Sequence, residues 1–334
     1  MTKRTWTPQS IMQMTQEVWA CCAIQAAVKL DLFTPLEKGE LTVAELAAAV
    51  GGDARATGML ATALVGLGLL ERQGQALRLP EDSRKLFSKN SPDYFGHMLR
   101  HQSHILPNWL RLDEAVKTGS RVAAASAAES DDDVQREAFL MAMYNAARMQ
   151  ADEVAEAMDL SGRKMLLDLG GGPGTYAASF CAKNPALEAA IFDLPASKSV
   201  AEKVVGQLGL SDRIRFIGGD FNVDPFPVGY DVVWLSQILH QESPTGAAAL
   251  VAKAADALEK GGLLAVQEMT IADSLDGPVS STLFSLNMLV NTKGGQSYTF
   301  REITDMMREA SLVDVKILPL ALPPGRSILF GLKP

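Results

Sequence analysis

Leu166-Leu-Asp-Leu-Gly-Gly-Gly-Pro-Gly-Thr-Tyr176 decides the fold: an apolar strand opens into four glycines within five positions and then into a helix. Such a loop brings bare backbone against a ligand. A dinucleotide fingerprint would need its third small residue where Thr175 stands, so pyrophosphate binding is disfavoured. An acidic residue closing the next strand still fits an adenosine ligand, and Asp193 closes Glu188-Ala-Ala-Ile-Phe-Asp193. Its carboxylate can accept hydrogen bonds from both ribose hydroxyls.

From Lys164 onward the pattern alternates. Strands are expected at 165–169, 189–192, 214–217, 231–235 and 263–267, with alanine-rich helices between them at 197–208 and 246–258. This is the pattern of a doubly wound, mostly parallel sheet covered on both faces, which binds ligands outside the carboxyl ends of its strands. Glycine loop, Asp193, Asp220, His240 and Glu268 all fall at such ends. The tail, Val315–Leu320 and Ser327–Gly331, reads as a final hairpin at the sheet edge.

The N-terminal third has another character. Apolar residues recur at helical spacing through Ile11, Met14, Val18, Cys22, Ile24 and Val28, with few charges, so much of the 11–36 segment is expected to be buried, against another subunit. Thr42 with Glu45 forms a capping box that opens a short helix ending at Gly51-Gly52. A second helix from Asp53 to about Gly68 leads to a hairpin turning at Gly74. Helix, turn, helix and hairpin describe a winged helix. In a DNA-binding protein the second helix would carry basic side chains, but Arg55 is its only one, so a dimerisation role is favoured over a ligand-sensing regulator. The acidic run Glu129-Ser-Asp-Asp-Asp133 reads as a helix start rather than a cation site.

Bulk properties bound the partners. With 334 residues, 47% of them hydrophobic, the chain is expected to fold as two domains, 1–110 and 111–334. A net charge of −8 argues against general affinity for nucleic acid or anionic membrane. Three cysteines without metal or redox spacing, no signal-peptide core and no apolar run approaching about 18 residues point to the cytoplasm.

The loop Asp168–Gly174, Phe192-Asp-Leu-Pro195, Gly218-Gly-Asp-Phe221, Ile238-Leu-His240, Lys260-Gly-Gly262 and Gly294-Gly-Gln-Ser-Tyr-Thr299 together resemble the class I S-adenosylmethionine-dependent methyltransferases. Within them, the resemblance is to the small-molecule O-methyltransferase family that includes the caffeate, acetylserotonin and many bacterial enzymes. It covers nearly the whole chain. It implies a Rossmann-like methyltransferase domain and an N-terminal winged-helix domain used for homodimerisation. It also implies that Gly170 and Gly172 lie by the cofactor's methionine portion, that Asp193 and Leu194 bind its ribose and adenine region, and that Asp220 and Phe221 flank the adenine; Asp168 and Ser236 are further cofactor-binding candidates.

His240 is the candidate general base, since an imidazole can take the proton of an acceptor hydroxyl as the methyl–sulfonium bond breaks. Glu268 matches the position that orients it in the family. The second acid of the plant enzymes would fall at Ser297 and is absent, and the usual His-Asp-Trp context reads His240-Gln-Glu. An S-methyltransferase for a thiol or thioether of a small carboxylate is therefore the alternative.

His97, Arg100 or His101, and His104 share one helical face, an array that lacks the support a zinc site needs; no metal is expected. By the same resemblance Arg100, Phe139 and Met143 line the acceptor pocket; Tyr144 and Arg148 continue that second helix, and His101 and Asn287, with Met269, Phe284 and Met288, are further candidates for the pocket. If Arg100 and Arg148 both face the cleft, the small-molecule acceptor is anionic.

Overall fold

The computed structural model describes residues 5–123 and 133–334. The chain divides into two compact units, Met1–His104 and Ile105–Pro334. Part of the acidic run, 129–132, lies outside the described residues.

In the first unit α1 (Pro8–Lys29) ends before Pro35, and a short 3-10 turn, Thr34–Lys38, replaces the rest of the expected helix, since proline removes a backbone donor. β1 (Leu41–Thr42), α2 (Val43–Val50), α3 (Ala54–Gly66), β2 (Glu71–Gln73) and β3 (Ala76–Arg78) follow. The capping box of Thr42 and Glu45 is formed, and the three strands make a small antiparallel sheet in the order β1-β3-β2. Helices α4 (Glu81–Phe87) and α5 (Gly96–Trp109) come next. The burial expected for the first helix is against another subunit; in the single chain Ile11, Val18 and Trp19 are 50%, 47% and 69% exposed, and only Gln25, Ala27 and Val28 of α1 are buried. The C-terminal part of α1 packs on α3 and the wing, while much of the rest stays exposed among the described residues.

The second unit adds α6 (Leu112–Thr118), α7 (Asp133–Arg148) and α8 (Ala151–Ala157), and then the sheet begins. Its elements are β4 (Met165–Leu169), α9 (Thr175–Lys183), β5 (Glu188–Asp193), α10 (Lys198–Gln207), β6 (Ile214–Gly218), β7 (Tyr230–Ser236), α11 (Pro244–Ala257) and β8 (Leu258–Met269). After these come α12 (Val279–Asn291), α13 (Phe300–Glu309), β9 (Val313–Ile317) and β10 (Arg326–Leu332). The strand order is β6-β5-β4-β7-β8-β10-β9. The first five strands run parallel, and the tail hairpin adds two antiparallel strands with β10 against β8.

Period-two alternation builds a core on each face. Leu166, Val232, Trp234 and Ala265 point to the side covered by α8 and α9, where the rings of Tyr176 and Phe180 stand 5.1 and 5.0 Å from Trp234. Leu167, Leu169, Val233, Leu235, Leu264 and Val266 point to the other side, against α11 and α13. The strand ends carrying polar residues emerge between these two cores.

Candidate active site

The glycine loop is shaped by its backbone. Gly170 and Gly172 have φ of +64° and +51°, a region that L side chains rarely enter, and a Cβ on Gly170 would run into Ile238. At Gly172 the same direction is open except for Leu140 of α7 at 3.7 Å. Leu140 packs with Val200 and Val204, with Phe139 and Tyr144 against them, so α7 is fixed beside the loop through α10.

Two carboxylates hold this loop. Asp168 is 2% exposed and accepts from the Ala177 backbone N–H at 3.3 Å; burial, with Asp193 nearby, pushes its pKa up to about 7. Asp193 Oδ2 accepts from Gly172 N–H at 2.8 Å, and Oδ1 accepts from Leu194 N–H at 2.7 Å and Ser197 Oγ at 2.8 Å. Burial raises its pKa against these three bonds. Three donors occupy three of its roughly four acceptor positions, so one ribose hydroxyl has direct room and a second needs the Gly172 amide to let go.

Asp220 Oδ1 accepts from Asn222 N–H, and the Asp220 N–H donates to Asp224 Oδ2, both at 2.8 Å, so this residue shapes the turn after β6. Lys253 fastens that turn by donating to the carbonyls of Phe221 (3.0 Å) and Asp224 while lying 4.2 Å over the Phe226 ring. Ser236 closes β7 and donates to Gln267 Oε1 at 2.9 Å. These residues fit S-adenosylmethionine: an open glycine edge at Gly172, a carboxylate at the end of the adjacent strand, and a half-buried apolar side chain at Phe221.

On the other side of the loop stands a histidine. Gln237 has φ +59° and donates its N–H to the Gln267 carbonyl at 2.8 Å, turning the chain sharply so that the 3-10 turn Leu239–Gln241 carries His240. His240 Nδ1 lies 2.7 Å from Glu268 Oε2, with the residues 7% and 1% exposed. With the carboxylate as acceptor Nδ1 holds the proton, which leaves the Nε2 lone pair free; among the described residues Nε2 makes no hydrogen bond. The Phe284 ring meets the imidazole edge-on at 4.8 Å.

A third segment clamps this turn, and the sequence reading missed its role. A Cβ on Gly295 would collide with the His240 carbonyl, so only glycine lets the 294–299 loop lie there. Tyr298, 0% exposed, donates its hydroxyl to the Glu242 carbonyl at 2.6 Å. Ser297 Oγ donates to the Ser281 carbonyl at 3.1 Å and offers the imidazole no charge.

The expected acceptor residues divide. Phe139, Met143 and Tyr144 share α7, beside the glycine loop. Arg148 is exposed, its guanidinium 5.4 Å from the Tyr144 ring centre. Asn287 Oδ1 accepts from Trp109 Nε1 at 2.8 Å and Asn291 Nδ2 at 3.0 Å, so only its own amide N–H groups remain for a ligand. Arg100 and His101 belong to the first unit, where Arg100 donates to the Val28 carbonyl at 3.3 Å. Burial, with His104 adding to it, drives the pKa of His101 down to about 4.

Comparison with known proteins identifies the family. Residues 109–312 match the family model of the O-methyltransferase domain, and residues 12–88 that of the O-methyltransferase dimerisation domain. The chain is 31% identical over 330 residues to a 3-hydroxy-5-methyl-1-naphthoate 3-O-methyltransferase of Streptomyces sahachiroi, covering 98% of this chain and 95% of that one. It is 33% identical over 333 residues to a tetracenomycin polyketide synthesis 8-O-methyltransferase of Streptomyces glaucescens, covering 98% and 97%. Human N-acetylserotonin methyltransferase, solved in complex with SAM, superposes with a TM-score of 0.88 at 26% identity, covering 100% of this chain and 99% of that one. With a glycine-loop sheet and a dimerisation domain both matched, the chain belongs to the S-adenosylmethionine-dependent O-methyltransferase family.

Proposed function

We propose that this enzyme transfers the methyl group of S-adenosylmethionine to a hydroxyl oxygen of a small aromatic acceptor, with His240 as general base and Glu268 as its orienting partner. The observation that carries the reading is the 2.7 Å contact of His240 Nδ1 with buried Glu268 at the carboxyl ends of β7 and β8, beside the glycine loop. A relative named for a hydroxynaphthoate supports an aromatic acceptor, as do Phe284, Phe139 and Tyr144.

Gly170, Gly172, Asp168, Asp193, Leu194, Asp220, Phe221 and Ser236 would hold the cofactor, whose sulfonium supplies an already activated methyl. His240 Nε2 takes the hydroxyl proton as the new C–O bond forms, and the imidazolium is stabilised by the Glu268 carboxylate behind it. Holding the two reactants in line contributes several kcal/mol through effective concentration. The exposed apolar residues of α1 support a homodimer formed through the dimerisation domain.

The test is methyl transfer from labelled S-adenosylmethionine to a panel of hydroxylated aromatic acids, with His240→Ala alongside. An O-methyl ether made by wild type and nearly lost in the variant is the expected result. Near-normal turnover by His240→Ala would exclude general-base catalysis and favour a sulfur acceptor.

A further inference from the structure

Gln267 and Glu268 are successive residues of β8 and so face opposite sides of the sheet. Glu268 goes to His240. Gln267, 0% exposed, turns toward α9, where Oε1 accepts from Ser236 and Nε2 has no hydrogen-bond partner among the described residues. On that side the Tyr176 hydroxyl accepts from Gln150 Nε2 at 2.6 Å, and Gln150 Oε1 in turn accepts from Arg326 Nη1 at 3.0 Å. Arg326 opens β10 in register with Met269, the residue after Glu268.

The charge of this cluster does not balance. Arg326 is partly buried, and among the described residues no carboxylate lies within ion-pair distance of it. Gln150, Gln267 and Ser236 are neutral, and burial raises the Tyr176 hydroxyl above its ordinary value, so the phenol is neutral too. A guanidinium withdrawn from water is costly unless an anion meets it, and a neutral amide replaces little of that interaction. The Gln267 amide adds a second donor, set near a Tyr176 hydroxyl that already accepts from Gln150.

We infer that Arg326, with Gln150 and the amide of Gln267, forms a carboxylate-binding subsite on the face of the sheet opposite the His240–Glu268 pair. Tyr176 lies two residues beyond the glycine loop, so the subsite adjoins the ground assigned to both reactants, and its relevance to turnover rests on the methyl-transfer reading. Two carboxylates could enter: the amino-acid tail of the cofactor, or the acid group of an aromatic acceptor. Arginine suits either through its bidentate fork.

The experiment measures melting temperature of the full-length protein in sodium benzoate against sodium chloride of equal ionic strength, for wild type, Arg326→Met and Arg326→Gln. Benzoate is expected to raise the melting temperature of wild type and of neither variant; Arg326→Gln keeps a polar contact to Gln150 should the apolar variant fold poorly. A shift shared by all three proteins, or seen in none, overturns the inference. Saturating S-adenosylhomocysteine then separates the sources. If it abolishes the benzoate effect, and Arg326→Gln binds it at least about tenfold more weakly while binding 5′-methylthioadenosine unchanged, the cofactor tail occupies the subsite. If the benzoate effect persists, the acceptor does. Failure of wild type to bind S-adenosylhomocysteine would strike the methyl-transfer reading, while the benzoate comparison would still decide the subsite.

Discussion

The glycine loop and the His240–Glu268 pair stand at the same edge of one sheet and are built from different material. The loop acts through its main chain: positive φ angles at Gly170 and Gly172, and a Gly172 amide held by Asp193. The pair acts through two buried side chains carried by separate strand ends and steadied by the 294–299 loop. A main-chain device fails when the backbone cannot take its shape, whereas a side-chain device fails when one atom is removed. Substitutions should therefore separate cofactor affinity from turnover.

The largest effect is expected at His240. Replacing it with alanine should lower kcat about 10²- to 10⁴-fold, the usual span of general-base catalysis, and leave S-adenosylhomocysteine affinity within about twofold by calorimetry. A matching loss of cofactor affinity would erase the division between the two regions. Gly170→Ala should do the reverse. Its Cβ meets Ile238 at a φ of +64°, so affinity for S-adenosylhomocysteine should fall on the order of 100-fold, about 3 kcal/mol by the affinity relation. Glu268→Gln sharpens the second region, because the amide can still accept from Nδ1–H but brings no charge to the imidazolium. A drop in kcat on the order of tenfold, with KM nearly unchanged, is expected from a group that matters only when charge develops.

The smallest effect is on stability, at Asp168. Its folded pKa of about 7 lies above the 3.8 of a free aspartate, so the native state binds this proton more tightly than the unfolded chain. The native state is then free of penalty below about pH 4 and loses stability as pH rises toward 7. Asp168→Asn removes that slope and can still accept from Ala177 N–H. The variant should gain on wild type in ligand-free urea unfolding as pH goes from 5 to 8, and a constant difference would contradict the burial argument.

The parallel sheet was legible because its strands are buried on both faces and read as apolar runs, and β4 keeps the expected limits 165–169. β8 begins earlier than expected, at Leu258, since pairing with Tyr230 across Glu259-Lys-Gly-Gly262 recruits residues whose own polarity argues against a strand. His240 and Glu268 could be named from their places at strand ends, but the clamp by Gly295 and Tyr298 is long-range packing that spacing does not encode. Gln267 was the overlooked signal: a glutamine inside Leu263-Leu-Ala-Val-Gln-Glu268 has to be buried, and a buried amide marks a polar partner on the far face. Arg326 lies 176 residues from its hydrogen-bond partner Gln150, which links it to Tyr176 only in the folded chain.

The central claim, that His240 removes the acceptor's proton as the methyl is transferred, is tested most directly by comparing kcat of wild type and His240→Ala over a series of aromatic acceptors of graded hydroxyl acidity. The account predicts that the defect is large for weakly acidic phenols and shrinks steadily as the hydroxyl becomes acidic enough to ionise without help. A defect of the same size across the whole series, or none at all, would contradict it.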